Sequence, residues 1–133
     1  MPKFPKELLF DTDVRDKIQK GINILAKAVG STLGPRSRYA AINNPHGTPE
    51  VYRDGVTVAR RINLEDPFED MGAELLKEAA VKTNEVAGDG TTTATILGQA
   101  IISEAFKVIA AGTNPMLLKQ EIWRINLIQE LEI

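Results

Sequence analysis

The sequence predicts a mainly α fold, a helical bundle of about four long helices with one small β-hairpin. Apolar residues recur at three- and four-residue steps in four segments, as on one face of an α-helix. Capping residues, glycines or prolines mark most ends of these segments. Between the first and second segments, two short runs flank a stretch rich in turn formers. At 133 residues with 43% hydrophobic content, the chain is long enough to bury one core.

The first helix is predicted from Asp13 to the stop at Gly34-Pro35, with Thr12 or Asp13 as its cap. Its apolar stripe consists of Val14, Ile18, Ile22, Leu25, Val29 and Leu33. A β-hairpin follows, with strands at 39–43 and 49–53 and turn formers between them. His46 lies near the hairpin tip, where we expect a solvent-exposed loop histidine.

The second helix has a clear start signal, with Asp66 as N-cap, Pro67 in the first position and Glu69 three residues after the cap. It is predicted to end at Gly88, and its apolar marks are Phe68, Met71, Leu75, Ala79 and Val86 or Ala87. The third helix opens in a threonine run and ends before Gly112, with Ala94, Leu97, Ile101, Ala105 and Val108 on one face. The fourth follows Asn114-Pro115 and carries Leu118, Ile122, Ile125 and Gln129 or Leu131. The spacing predicts Met71 and Met116 in the core, and Trp123 in the core or at an interface.

Composition excludes several classes of function. The net charge is −2 and the basic residues are mixed with acids, so a nucleic-acid partner is not expected. The chain has no cysteine and only one histidine, which excludes disulfides and thiolate or multi-histidine metal sites. The N-terminal apolar run Leu8-Leu9-Phe10 is too short for a signal peptide, and no apolar stretch is judged long enough for a membrane span. We therefore expect no membrane contact and a cytoplasmic location.

The run from Ala87 to Thr95, with sequence AGDGTTTAT, indicates a phosphate and metal site. Glycines on both sides of Asp89 allow a tight turn, and the helix start that follows offers unpaired amides to an anion. A carboxylate beside phosphate oxygens needs a divalent cation between them, and Mg²⁺ prefers this combination of ligands. The run is not a Walker A loop, because no lysine follows the second glycine. The alternative is that Asp89 only caps the helix, although three consecutive threonines are poor helix formers.

Two other segments can be paired with this run, Thr32-Leu33-Gly34-Pro35 and Arg53-Asp54-Gly55-Val56-Thr57. Each alone is a common turn. Together with Leu64-Glu65-Asp66, Met71-Gly72-Ala73 and Gly112-Thr113-Asn114-Pro115-Met116, in this order and spacing, the set closely resembles the group I, GroEL-type chaperonins. The resemblance covers roughly residues 12 to 122.

The resemblance implies that residues 1–133 form a single partial domain, similar to the N-terminal half of the equatorial domain, which binds ATP and forms ring contacts. It implies that Asp89 is the Mg²⁺ ligand and that Gly90, Thr91, Thr92 and Thr93 hold the phosphates. Thr32, Leu33, Gly34 and Pro35 would line the nucleotide from the other side, and the backbone near Thr32 and Arg53 could hold K⁺. Asp54 would be the catalytic residue that assists hydrolysis near the γ-phosphate. The hairpin would reach toward a neighbouring ring subunit.

This chain departs from the family pattern at several positions. Arg53 replaces the usual lysine. The change is mild if this position contributes only its backbone oxygen. It alters the site if the side chain takes part, because lysine and arginine differ in geometry. Arg36-Ser37-Arg38 replaces Lys-Gly-Arg, so the loop after Pro35 is expected to be stiffer. Gln120-Glu121 replaces Arg-Gly, and residues 123–127 no longer follow the alanine-rich helix of the family.

The chain ends inside an apolar helical pattern, as if cut, and we expect the intermediate and apical domains to be absent. Unfolded clients and a co-chaperonin would bind only through those domains, and turnover by this chain alone should be negligible. Two functions compete. One is the ATP- and Mg²⁺-binding segment of a protein-folding chaperone, and the other is a structural or self-association module with a vestigial nucleotide site. A small phosphotransferase is disfavoured, because no acid–base pair is evident.

Overall fold

The computed structural model describes residues 8–34 and 38–132. Their elements are α1 (Asp11–Gly30), β1 (Ala40–Ile42), β2 (Glu50–Tyr52), α2 (Gly55–Arg61), α3 (Pro67–Ala87), α4 (Thr91–Ala110) and α5 (Pro115–Glu132). Four long helices and one hairpin confirm the predicted fold class, and the short α2 is an addition that the sequence analysis missed. The chain divides after residue 100 into two compact units. The single-domain organisation stays a prediction.

The core of the N-terminal unit forms where α1 packs against α3, with α2 against both. Its buried apolar side chains are Ile22, Leu25, Val29, Val56, Val58, Ala59, Ala73, Leu76 and Ala80. Helices α1 and α3 approach most closely at two glycines. A Cβ on Gly21 would overlap the backbone of Glu69, and a Cβ on Gly72 would overlap the backbone of Ile18. The two glycines therefore set the distance between the helices.

The ends of α1 differ from the prediction. The helix begins at Asp11 and Phe10 occupies the N-cap without a side-chain hydrogen bond, so the predicted cap at Thr12 or Asp13 is wrong. It ends at Gly30, four residues before the predicted stop at Gly34, and a turn follows. Leu33, predicted on the apolar stripe, is exposed because the backbone beyond Gly30 no longer follows the helical period.

The N-terminus of α3 confirms its predicted cap. Asp66 Oδ1 accepts hydrogen bonds from the backbone amides of Phe68 (2.9 Å) and Glu69 (3.2 Å). Lys17 of α1 donates to the other carboxylate oxygen, and Lys20 Nζ lies 2.8 Å from Glu69 Oε1. Two ion pairs thus join α1 to the first turn of α3. At the other end, the C-cap Gly88 has φ 68°, a left-handed conformation that favours glycine.

Stability should depend on pH through Asp66. The hydrogen bond from Lys17, reinforced by bonds from the Glu69 and Phe68 amides, lowers the pKa of Asp66. A lowered folded-state pKa stabilises the fold above the unfolded-state pKa of about 3.9, and this stabilisation is lost as the pH falls through the folded-state value. We expect urea midpoints measured from pH 6 down to pH 2 to fall less steeply for Asp66→Asn than for the wild type. Lys17→Met should reduce the pH dependence in the same direction, and a wild-type slope in both variants would contradict the assignment.

The buried face of α3 lies one position away from the predicted one. Met71 and Leu75 are exposed, as is Val86, whereas the buried positions are Gly72, Ala73, Leu76, Lys77 and Ala80. The prediction followed the large apolar side chains, but close packing against α1 selects small ones. The core assignments of Met71 and Met116 are therefore wrong in this structure, since Met116 is also exposed.

The predicted apolar face of α4 is also wrong. Leu97, Ile101 and Val108 are exposed, whereas Thr91 and Thr95 are buried. Thr95 can be buried because its hydroxyl donates to the Thr91 carbonyl oxygen at 2.7 Å. This internal bond removes the cost of burying a polar group.

The hairpin confirms its prediction with shorter strands. Strands β1 and β2 pair antiparallel, with Ala41 opposite Val51 at the centre of the register. His46 lies in the exposed connection, as expected. Its backbone amide donates to Asn44 Oδ1 at 3.3 Å, which is a turn built by an asparagine side chain.

In the C-terminal unit, α4 ends at Ala110 and Gly112 has φ 108°. Asn114 Oδ1 accepts from the amide of Met116 at 2.9 Å, which confirms the predicted cap and proline signal of α5. Trp123 is 62% exposed, so it is not a core residue, and its place at an interface stays a prediction. Of the predicted marks of α5, Leu118 is half-buried while Ile122 and Ile125 are exposed; the side chains of Gln129 and Leu131 lie outside the described residues.

One expectation about membranes needs correction. Among the described residues, α4 is long and apolar enough to cross a membrane, judged by its 20 residues and mean hydropathy of 1.2. Helix α4 therefore contradicts the prediction that the chain has no apolar stretch of this length. A single such helix is weak evidence for a membrane span, because helices of soluble proteins can have the same length and composition.

Candidate functional site

The predicted phosphate run forms a tight turn that leads into α4. Gly88 and Gly90 have φ of 68° and 75°, so both glycines are needed for the backbone conformation. Asp89 between them is exposed, and its Oδ1 accepts from the Gly90 amide at 2.7 Å. Helix α4 then begins at Thr91. The first amides of a helix have no carbonyl partner within it, so this start can receive an anion.

The three threonines of the run point in different directions. Thr91 is 8% exposed, Thr92 is half-buried and Thr93 is exposed. Burial removes Thr91 from solvent, so its side chain is not available to a ligand in this structure. Thr92 and Thr93 offer hydroxyls.

Three of the predicted segments meet at Gly55. Thr32 Oγ1, just after α1, lies 3.2 Å from Thr92 Oγ1 at the start of α4. A Cβ on Gly55, the first residue of α2, would overlap Thr92 Oγ1 and come within 3.2 Å of Thr32 Oγ1. Only a glycine fits this approach without displacing the hydroxyls. The fold therefore joins segments that are 60 residues apart in the sequence.

Asp54 lies next to this contact, as the N-cap of α2. Its Oδ2 accepts from the Thr57 amide at 3.3 Å and from Thr57 Oγ1 at 2.8 Å. The Asp54 carboxylate is exposed, and both of its hydrogen bonds come from Thr57. Because Thr57 belongs to the same turn, the carboxylate can orient a water molecule or a ligand only if the Asp54 turn is itself held in place.

The remaining predicted residues surround the same turns. Thr32 Oγ1 donates to the Val29 carbonyl at 2.6 Å, which fixes its side chain at the end of α1. Leu33 and Gly34 are exposed, and Gly34 has φ 82°. Arg53 is exposed and precedes the Asp54 cap, while Pro35 lies outside the described residues.

The oxygen ligands at these turns suit a cation that takes only some of its ligands from the protein. Within residues 8–34 and 38–132, no cluster of three or more metal-ligating side chains occurs. The exposed carboxylate of Asp89, directly before the start of α4, suits Mg²⁺ that is also held by phosphate oxygens, while Asp54 caps α2 and no contact joins the two carboxylates among the described residues. When bound, Mg²⁺ would offset phosphate charge there.

A groove of about 760 Å³ lies elsewhere in the N-terminal unit, between the hairpin and helices α1 and α2. Its lining includes Ile24, Ala41, Val58 and Arg61. The predicted site residues are not among its lining residues, so this groove is not the predicted nucleotide site.

Helix α2 and the burial of Thr95 were the features that sequence reasoning missed. Helix α2 is only seven residues long and rich in β-branched residues, which gives weak helical periodicity. Asp54 followed three residues later by Thr57 was the available signal, since a carboxylate cap bonds the amide at that spacing.

Comparison with known proteins identifies the class of protein that has this fold. The sequence model of the TCP-1/cpn60 chaperonin family matches residues 25–124, which is well over half of the chain. The protein belongs to the TCP-1/cpn60 chaperonin family. The predicted resemblance to chaperonins is thereby confirmed, and the mainly α fold is that of a segment of a chaperonin equatorial domain.

Similar solved structures are those of the chaperonin gp146 from the bacteriophage EL 2 (Pseudomonas aeruginosa), in the presence of ATP-BeFx. Crystal form II is 35% identical, with a TM-score of 0.64, and the match covers 72% of this chain and 17% of that chain. Crystal form I is also 35% identical, with a TM-score of 0.61 and coverage of 68% and 16%. The chain thus spans about a sixth of the length of this relative.

Proposed function

We propose that this chain is the ATP- and Mg²⁺-binding part of the equatorial domain of a cytoplasmic, ATP-dependent protein-folding chaperone, and that it contributes ring-subunit contacts. The observation that carries the proposal is the meeting of Thr32, Gly55 and Thr92. It unites the predicted phosphate run with the two segments that were paired with it from the sequence. The similarity to a chaperonin crystallised with ATP-BeFx supports the choice of nucleotide.

In this proposal the backbone and hydroxyls of the 90–93 run hold the phosphates, and Asp89 is the Mg²⁺ ligand. Thr32, Leu33, Gly34 and Pro35 line the nucleotide, and the backbone near Thr32 and Arg53 holds K⁺. Asp54 orients water near the γ-phosphate. Clients and a co-chaperonin would engage other parts of a complete chaperone, and this chain alone should show negligible turnover.

We expect the isolated chain to bind ATP weakly and only with Mg²⁺, because the threonine run and the Asp89 turn are intact. Calorimetric titration with ATP, with and without Mg²⁺, measures this. Asp89→Ala should weaken binding at least about tenfold, since it removes a metal ligand. Asp13→Ala, which removes an exposed carboxylate from α1, is the matched control and should bind as the wild type does.

The competing function is a structural or self-association module. It is favoured by the large apolar side chains that α4 and α5 expose, among them Leu97, Ile101, Ile122, Trp123 and Ile125. Contiguous exposed apolar surface is typical of interaction sites. Absence of ATP binding, or binding that Asp89→Ala leaves unchanged, would favour this module over the nucleotide-binding segment.

A further inference from the structure

Three side chains, two from the hairpin and one from α2, contact one another. The Tyr52 hydroxyl donates to Glu50 Oε2 at 2.6 Å, and Arg61 Nη1 lies 3.9 Å from the same oxygen. The guanidinium carbon of Arg61 is 5.8 Å from the centroid of the Tyr52 ring, within the range of a cation–π interaction. We call these residues the Glu50–Tyr52–Arg61 cluster.

The cluster spans the turn that carries Asp54. Tyr52 is the last residue of β2 and Arg61 is the last residue of α2, so their contact closes a loop that contains Arg53, Asp54 and all of α2. Glu50 and Tyr52 lie two residues apart on a strand and therefore share a face. The contact holds strand and helix together at the far end of α2, whereas Asp54 lies at the near end. Rotation of the helix against the strand would have to break it.

The bonds within the cluster suit a positioning role rather than a large contribution to stability. The side chains of Arg61 and Glu50 are 57% and 37% exposed, and exposed ion pairs are weak. The hydrogen bond to Glu50 raises the pKa of Tyr52, because it stabilises the protonated phenol that donates it. At the near end, Asp54 is bonded only within its own turn in the contacts described above, so its place depends on that of α2.

We propose that Glu50, Tyr52 and Arg61 are positioning residues that fix the Asp54 turn relative to the hairpin, and so hold the Asp54 carboxylate at the nucleotide site. This inference rests on the proposed function for its consequence in ATP binding. The positioning of the turn itself is measurable without any ligand.

Amide hydrogen exchange on the full chain tests the positioning directly. In Arg61→Gln, the amides of Thr57 and Val58, which donate to Asp54 Oδ2 and to the Asp54 carbonyl oxygen, should exchange about threefold faster, the loss expected for an exposed cation–π and ion-pair contact. The α1 and α3 core amides should exchange at the wild-type rate. Arg60→Gln, which changes the neighbouring arginine, is the matched control and should leave the exchange of Thr57 and Val58 unchanged. Tyr52→Phe keeps the ring but loses the hydroxyl bond, and should give an intermediate rate.

Equal exchange at Thr57 and Val58 in Arg61→Gln and the wild type would overturn the inference. So would an increase spread evenly over α1 and α3, because that result would mean general destabilisation. A double-mutant cycle then tests the consequence for the ligand. Arg61→Gln should weaken Mg²⁺-dependent ATP binding about threefold in the wild type and leave it unchanged in Asp54→Asn.

The two proposals fail in different ways. If the wild type binds no ATP while the exchange pattern is as expected, the proposed function fails and the positioning of the turn stands. If the wild type binds ATP but Arg61→Gln and Asp54→Asn act additively, the positioning residues do not act through Asp54 and this inference fails alone.

Discussion

Gly72→Ala should lower the free energy of unfolding by about 2 kcal/mol. The added Cβ would overlap the backbone of Ile18 in α1, and the backbone cannot relieve the overlap by changing rotamer, as a side chain can. Such overpacking costs about 3 kcal/mol, and the better helix propensity of alanine returns about 1 kcal/mol. Urea denaturation followed by circular dichroism measures the change. Gly21→Ala should behave in the same way, since its Cβ would overlap the Glu69 backbone.

The matched control is Gly30→Ala, in the same helix as Gly21. A Cβ there would lie 3.6 Å from Ile96 Cδ1, an ordinary contact. Alanine should therefore be neutral or stabilise the chain by up to about 1 kcal/mol. If Gly72→Ala were as stable as Gly30→Ala, the close crossing of α1 and α3 would be incorrect.

Leu76→Ala should lower the free energy of unfolding by about 3 kcal/mol, the usual cost of removing a buried leucine. Leu76 is 1% exposed, and its Cδ1 lies 3.0 Å from the position that a Cβ on Gly98 would occupy. The side chain thus fills space between α3 and the first part of α4, within the N-terminal unit. Truncation would leave a cavity there, because backbone on both sides limits collapse.

The neighbouring Leu75 provides a direct control, with the same substitution one position away. Leu75 is 56% exposed, so Leu75→Ala should cost less than about 1 kcal/mol. Comparing the two variants also tests which face of α3 is buried, the predicted face with Leu75 or the observed face with Leu76. A larger loss for Leu75→Ala than for Leu76→Ala, measured by urea midpoints at equal slope, would restore the predicted face.

Local chemistry made the ends of several elements predictable. The Asp66-Pro67 start, the Gly88 stop and the Asn114 cap depend on residues within a few positions of each other, and all three are confirmed. The face that a helix buries depends on its neighbour instead. Sequence spacing chose Leu75 on α3 and Leu97 on α4, but the packed structure buries Leu76, which lies against Gly98, and Thr95.

The sequence by itself determined the mainly α class, the hairpin, the caps of α3 and α5 and the candidate residues of the phosphate site. The sequence also identified the family, because the AGDGTTTAT run and the motifs grouped with it are specific in order and spacing. Only the tertiary structure decided that Thr32, Gly55 and Thr92 meet and that Arg61 closes over Tyr52. The reason is physical: caps and turns are set by bonds between neighbours in the chain, whereas these contacts exist only after α1, α2 and α4 have packed.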